Sequence, residues 1–425
     1  MKKLPYILFT LIVHCFFITP VSSQEIVSDD SVKIKTPEKF KQREYPLTLS
    51  YQPDIRIAGN NGIALNRLTE DAFINYLAPH LSGVFGEIIG GTWNFFFNHF
   101  YTLWPHEFGH WMRAEEIGVK FTFHDFNPIL PHTTVDIPDG RTLTDEESAL
   151  VSVAGFEVNS YIARRGELEF YTNGFAYSSD LTHAWINEIF FPVYAFLVFP
   201  IDPEEPSIWQ KTKGDPVHFI LPVYERFTGR SAIDTNGNVD SKLVSLYETA
   251  TLLSLIVPLT DPFFYQAVIE NFSTKSYKTL RPVTPWILLG NRDLGWTYGT
   301  HFNPSPLGYE IYFTNYLFIQ KKLIALSLKW GAPFLNQSIG IRLPGIFRSK
   351  GFSLSPYIEV WDQSFSGVGA GIGSEFRFKF SANGPELWTD LGYKTEGYSL
   401  ALPLQRGLHA LFGLTLYFTP THVEM

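Results

Sequence analysis

The sequence has almost no cysteine, few charges and no excess of basic residues, and each shortage excludes a class of protein. With 1 Cys in 425 residues, a disulfide-stapled scaffold is impossible. Lys and Arg total 33 against 42 Asp and Glu, so no excess of positive charge is available to neutralise nucleic-acid phosphates. Charged residues make up 18%, below the roughly 25% of ordinary soluble domains. Aromatic residues reach 16%, which excludes a disordered chain and is compatible with contact to lipid.

The N-terminus has the features of a secretory signal peptide. A basic start precedes an apolar run, Tyr6 to Thr19, that is short for a bilayer span, and small residues follow at Val21-Ser22-Ser23. We therefore expect residues 1–23 to be removed, and Cys15 with them. An exported chain without cysteine suits the periplasm or outer membrane of a Gram-negative cell. An uncleaved membrane anchor is the alternative.

Composition and periodicity divide the remaining chain into three segments. Residues 24–65 are polar and include a short strand-like piece, so we expect a flexible lead-in. Residues 66–285 show helical patterns, interrupted by a proline-rich stretch at 200–222 that predicts a loop. Residues 286–425 change to a period of two, which is typical of strands. The sequence therefore predicts an α+β protein, with a helical domain before an antiparallel sheet.

Between residues 294 and 418, one face of each predicted strand is apolar and the other is rich in glycine and charge. The clearest run extends from Val368 to Phe380, and its polar face consists of Gly369, Gly371, Gly373, Glu375, Arg377 and Lys379. Such runs approach the ~9–11 residues that cross a bilayer, and they predict a lipid-facing antiparallel β-barrel of about eight strands. A soluble sheet with its apolar face in the core is the alternative.

The sharpest chemical signal is His106-Glu107-Phe108-Gly109-His110. Residues four apart on a helix share one face, so both imidazoles can bind one Zn²⁺. Glu107 then lies beside the metal, where it can take a proton from a bound water. The alternative is a pair of helical histidines that only contact neighbouring carboxylates.

This motif resembles the active-site helix of the zinc metallopeptidases called zincins, which implies one further protein ligand. The third histidine of metzincins is absent, because position 116 holds Glu116. In the gluzincin pattern a second helix supplies a glutamate, and Glu157, followed by Asn159, fills that place. The site-2 protease pattern Ala-Gly-Pro-x-x-Asn is matched at Ala154, Gly155 and Asn159, but its proline is missing.

The site-2 protease pattern also requires an aspartate from a later helix, and no candidate fits it fully. Asp139 precedes the second helix, whereas Asp202 follows it without the expected glycine. We therefore favour Glu157 as the third zinc ligand. An ion pair with Arg113 or Arg164 is the alternative role for this glutamate.

Five further residues are weaker candidates for the site. A residue that does not touch the metal can orient a ligand histidine through a hydrogen bond. The loop residues that are candidates for this role are His124, Asp125, His132 and Asp136. His183 is a reserve candidate for the metal or for transition-state stabilisation.

The sequence thus predicts a zinc-dependent peptidase of the Gram-negative envelope. The resemblance implies Zn²⁺ as cofactor, a peptide or protein as substrate, and hydrolysis with Glu107 as the base. The barrel would anchor the chain in outer-membrane lipid, and no nucleic-acid partner is expected. The alternative is a non-enzymatic outer-membrane or periplasmic barrel protein with a structural histidine pair.

Overall fold

The computed structural model describes residues 42–50, 52–123, 133–136, 141–198, 202–211, 214–273, 279–349, 351–381 and 384–418. The predicted signal peptide, the polar stretch up to residue 41, and three of the weaker candidates lie outside these ranges: His124, Asp125 and His132. Asp139 also lies outside them. The described residues form an α+β fold, as the sequence predicts.

The α-helices are α1 (Ile55–Ala72), α2 (Gly83–Glu116), α3 (Asp145–Asn173), α4 (Ser178–Glu188), α5 (Phe190–Val193), α6 (Pro206–Lys211), α7 (Asp215–Thr228), α8 (Ser241–Ile256) and α9 (Pro262–Ser273). Helix α3 begins where the sequence predicts, because Thr144 and Glu147 form a capping box. Helix α7 begins inside the predicted proline-rich loop, since a proline is tolerated in the first helical turn, where Pro216 lies.

The strands are β1 (Arg43–Leu49), β2 (Lys120–Phe123), β3 (Thr133–Asp136), β4 (Ala176–Tyr177), β5 (Pro282–Val283), β6 (Leu289–Gly290), β7 (Leu294–Ser305), β8 (Gly308–Ile319), β9 (Lys322–Pro333), β10 (Asn336–Arg342), β11 (Phe347–Ser349), β12 (Phe352–Gln363), β13 (Gly367–Lys379), β14 (Glu386–Lys394) and β15 (Gly407–Phe418). Among the described residues, eleven strands form one sheet in the order β1-β15-β14-β13-β12-β10-β9-β8-β7-β6, with β11 paired to β12. The pairs β2–β3 and β4–β5 form two separate ribbons.

The described strands do not close into the predicted barrel, since the edge strands β1 and β6 do not pair with each other, and helices contact both edges. At one edge the backbone N–H of Thr48 in β1 donates to Asn61 of α1 at 2.8 Å. At the other, β6 is only two residues long, and the N–H of Phe302 in β7 donates to Glu188 of α4 at 3.3 Å. Edge groups of an open sheet need such partners. Side chains of α1 and α4 therefore accept hydrogen bonds from backbone N–H groups at the two edges, and in a closed barrel these edges would pair with each other.

The two faces of the sheet have the polarity that the alternation predicts. Along β13, Val368, Ile372 and Phe378 are 77%, 58% and 52% exposed. On the opposite face, Arg377 donates to Glu375 at 2.5 Å, and both side chains are largely covered. The apolar face is thus the outer surface, and the charged face looks towards the helices.

The largest apolar core lies between the helices and the first long strand of the sheet. It includes Phe156 of α3, Phe219 of α7, Tyr247 of α8 and Phe302 of β7. Within the described part of the chain, one helical stretch, Ser241–Thr260, has the length and hydropathy of a membrane span, and 44% of its apolar window is buried. Core helices of soluble proteins share these properties, so the stretch carries no assignment.

Candidate metal centre

Three side chains converge where α2 meets the start of α7. The Nε2 atoms of His106 and His110 lie 3.1 and 3.4 Å from the same atom, Oδ2 of Asp215. Four ligands at the usual zinc bond lengths stand about 3.3 Å apart at the edges of a tetrahedron. Two imidazole nitrogens and one carboxylate oxygen, all within 4.8 Å of one another, could therefore hold a metal ion.

Both imidazoles are oriented through their other nitrogen. Nδ1 of His106 donates to Oδ1 of Asn159 at 2.8 Å, and Nδ1 of His110 donates to the carbonyl of Val151 at 2.6 Å. The Asn159 amide nitrogen donates in turn to the Thr102 carbonyl, which fixes the end of the amide that faces His106. Each histidine therefore directs its Nε2 atom towards Asp215, and metal-binding histidines are oriented through their other nitrogen in the same way.

The packing around the two imidazoles leaves them little freedom. A β-carbon at position 155 would overlap the His106 ring, so glycine is required where α3 passes α2. The rings of Phe156, Phe190 and Tyr194 surround the same imidazole. Such enclosure fixes rotamers and excludes water from one side of the site.

The charges of the three side chains are strongly coupled. Burial alone would lower the pKa of His110, but the Asp215 carboxylate outweighs burial and raises it to about 9. Burial alone would raise the pKa of Asp215, but the two imidazoles outweigh it and hold this pKa well below its usual range. The carboxylate is thus an anion that holds positive charge between itself and the histidines, whether that charge is a proton or a metal ion.

Glu107 lies next to this cluster without belonging to it. Its side chain is buried, and Oε2 accepts a hydrogen bond from the hydroxyl of Thr133 in β3 at 2.8 Å. Tyr194 stacks on His106 at 6.0 Å between ring centroids. Burial, then Asp215 and Glu107, raise the pKa of Tyr194 far above neutrality, so this phenol remains protonated.

Glu157 has other partners than the sequence analysis predicts. Its carboxylate accepts hydrogen bonds from Arg113 at 2.5 and 3.0 Å and from the Ala401 N–H at 2.7 Å. This is the ion-pair role considered as the alternative. Within the described residues, the group that can hold a metal at this site consists of His106, His110 and Asp215.

Two of the remaining candidates, Asp202 and His183, have partners outside the cluster. Asp202 is exposed and accepts a hydrogen bond from the N–H of Glu204. His183 is buried and lies 3.2 Å from the Tyr101 carbonyl, and burial lowers its pKa to about 4. Asp136 ends β3, in the same ribbon as Thr133.

The sequence analysis missed Asp215 because the signal lies far from the histidine motif. Asp215 is 109 residues beyond His106, in a Gly214-Asp215-Pro216 sequence at the start of α7. A helix start inside the proline-rich stretch, with an acidic first-turn residue, is the local feature that could have drawn attention to it.

Comparisons with models of protein families, with curated proteins and with solved structures find no match to this chain.

Proposed function

We propose that this chain is a zinc-dependent peptidase whose metal is held by His106, His110 and Asp215. The observation that carries the proposal is the convergence of both Nε2 atoms on one oxygen of Asp215, with each Nδ1 held by another part of the fold. A water would complete the four ligands of a catalytic zinc site. Asp215 replaces Glu157 as the third ligand, which brings the arrangement nearer to the site-2 protease pattern.

The neighbouring side chains supply the groups that peptide hydrolysis needs. Zinc lowers the pKa of its bound water, which makes that water a nucleophile near neutral pH. Glu107 accepts the proton of the attacking water and later delivers it to the leaving amine. The Tyr194 ring stacks on His106 and its phenol interacts with Asp215, so we propose that this phenol donates a hydrogen bond to the developing oxyanion.

An extended peptide is the substrate that the surroundings favour. The β2–β3 ribbon lies against the site, since Thr133 of β3 contacts Glu107 and the Phe121 ring of β2 stacks on His110. Among the described residues each strand of this ribbon pairs only with the other, so one backbone edge of each strand has no described strand partner. A free strand edge can bind an extended peptide through backbone hydrogen bonds.

We further propose that the outer face of the sheet contacts the lipid of the outer membrane. Apolar side chains align in register across five neighbouring strands, in the row Tyr393, Ile372, Ile358, Ile341 and Leu326. The strands β12 and β13 have 12 and 13 residues, enough to cross a tilted bilayer span. An apolar surface of this extent is unfavourable in water and favourable against lipid tails.

Zinc content after metal-buffered purification tests the ligand set. We expect one zinc to be lost from both His110→Ala and Asp215→Asn. Asp202→Asn, which removes an exposed carboxylate that the sequence also offered, should keep it. Equal zinc content in Asp215→Asn and the unaltered chain would reject Asp215 as a ligand.

Hydrolysis is tested separately with a fluorogenic peptide library. The unaltered chain should cleave peptides, and a zinc chelator should stop the cleavage. A chain that binds zinc and cleaves no peptide would favour the alternative, a non-enzymatic envelope protein with a structural site.

A further inference from the structure

A second cluster of buried ionisable groups lies where α3, α4 and the loop before α9 meet β7. His301 of β7 is placed between two carboxylates, with Nε2 2.5 Å from Glu167 and Nδ1 2.7 Å from Glu188. Asp261 completes the cluster, and single ligand atoms of Glu167, Asp261 and His301 lie within 4.8 Å of one another. Glu167, Asp261 and His301 are 0%, 2% and 1% exposed, so the cluster is closed to solvent.

Among the residues that the structure describes, one oxygen of this cluster has no hydrogen-bond partner. Oε2 of Glu167 accepts hydrogen bonds from His301 and from the hydroxyl of Tyr316, whereas Oε1 is fully buried and accepts none. Gly299 leaves the space in which this oxygen lies, since a β-carbon there would overlap it. A buried carboxylate oxygen without a donor is costly unless a cation or proton binds to it.

The charges around His301 also favour a bound cation. Three carboxyl groups surround one imidazole, so a single protonated imidazole cannot balance all of them when they are ionised. Glu188 stands behind Nδ1, the position from which a carboxylate orients a metal-binding histidine. A divalent cation would offset the excess charge and bind the oxygen that lacks a donor.

We propose that Glu167, Asp261 and His301 form a second, structural site for a divalent metal ion, with Glu188 orienting His301. One imidazole with two carboxylates suits zinc or manganese better than the all-oxygen sites of calcium and magnesium. Its ligands come from α3, from the residue before α9 and from β7, so a bound ion would join the helical part to the sheet.

This site is separate from the proposed catalytic centre. On α3, Glu167 follows Asn159 by eight residues, which corresponds to about 12 Å along the helix axis. The two sites therefore share no ligand, and each can be removed without touching the other.

Metal counting on the full chain, purified with buffered zinc, tests the proposal. We expect two zinc ions per unaltered chain, one in His110→Ala, one in His301→Gln and none in the double variant. Chelation of His110→Ala should lower its melting temperature, because the remaining ion joins elements of the fold. Tyr316→Phe is the matched control, since it removes a hydrogen bond to Glu167 and no ligand, and it should keep both ions.

Two results would overturn the second site. One is a His110→Ala chain that folds and holds no zinc, because the cluster around His301 is intact in that variant. The other is Glu167→Gln with the same zinc content as the unaltered chain. The first measurement does not depend on His301 variants, so it remains decisive if those variants fail to fold. Failure of the catalytic proposal would appear differently, as an unchanged count in His110→Ala.

Discussion

The Glu107 carboxylate accepts a hydrogen bond from Thr133 and contacts none of the three proposed metal ligands through a described hydrogen bond. A substitution at Glu107 can therefore change catalysis without changing metal binding. We expect Glu107→Gln to keep zinc, because the amide can still accept the threonine hydrogen bond. Peptide hydrolysis should fall by about 10²–10⁴-fold, the usual contribution of a positioned base. Parallel zinc and turnover measurements check this, with Thr133→Val as a milder control. A zinc-free Glu107→Gln chain of normal stability would assign Glu107 to the ligands.

Glu157 should matter for stability and leave zinc binding unchanged. Its carboxylate neutralises Arg113, which is almost fully buried, and also binds the N–H of Ala401 in the loop before β15. Glu157→Gln removes the negative charge of this residue and leaves Arg113 paired with Glu116 alone. The free energy of unfolding should therefore fall by about 3 kcal/mol. Denaturant unfolding and zinc content measure the two effects. Zinc loss together with unchanged stability would restore Glu157 as a ligand.

Helix geometry explains which residues of the site the sequence could predict. His106 and His110 are four apart, and so are Gly155 and Asn159, and each pair shares a helix face. Glu157 is two positions from Asn159, about 200° away around the axis, so both cannot face His106. Helix geometry alone therefore indicates from the sequence that Glu157 and Asn159 cannot both face His106. The contact of Asp215 with the two histidines cannot be predicted in this way, because it depends on how α7 packs after the chain has folded.

At the scale of elements, α2 and α3 approach so closely that the site depends on Gly155. We expect Gly155→Ala to displace the His106 imidazole, because the added methyl group would occupy its space. Zinc affinity should fall by about 10–100-fold, as when the support of a ligand is disturbed. Competition with a zinc indicator measures this. Ser152→Ala, one turn earlier on α3, should bind zinc as the unaltered chain does, and equal affinity in both variants would contradict the packing argument.

The junction of β1 with α1 and α4 should weaken in acid. Burial would raise the pKa of Asp180, but Arg43 and Arg67 outweigh it and lower this pKa to about 2. A carboxyl group with a lowered folded-state pKa stabilises the protein above its unfolded value and loses that effect as pH falls. The contribution is about 2 kcal/mol near neutrality and about half of that at pH 3.

Denaturant unfolding of Asp180→Asn across this pH range measures the contribution. The variant should be less stable at pH 7, and its difference from the unaltered chain should shrink below about pH 4. A difference that stays constant down to pH 3 would mean that Asp180 is not charged against the two arginines.

At the scale of the whole molecule, the period of two predicts the strands and their faces, because alternation is a local property. Closure is not local. It depends on whether the two edge strands of the sheet pair with each other, and here the edges are β6 and β1, a strand in the segment expected to be flexible apart from a short strand-like piece. Asn61 and Glu188 then satisfy the two edges from the helical part. An open sheet completed by helices could not be foreseen from strand patterns alone.

The last prediction concerns the apolar outer face of this sheet. Ile372 lies within the apolar row, between Tyr393 and Ile358, and is 58% exposed, so the side chain faces water or lipid. If lipid covers the face, Ile372→Cys in native membranes should resist a water-soluble maleimide until detergent is added. Glu396→Cys, in the exposed turn between β14 and β15, should react at once. Because the only native cysteine lies in the predicted signal peptide, each variant reports a single site.

Urea washing should leave the chain in the membrane fraction, and Ile372→Arg should cost about 2–4 kcal/mol of stability in lipid. Rapid labelling of Ile372→Cys, together with release of the chain by washing, would exclude lipid as the partner of this face and leave the metal centre unaffected.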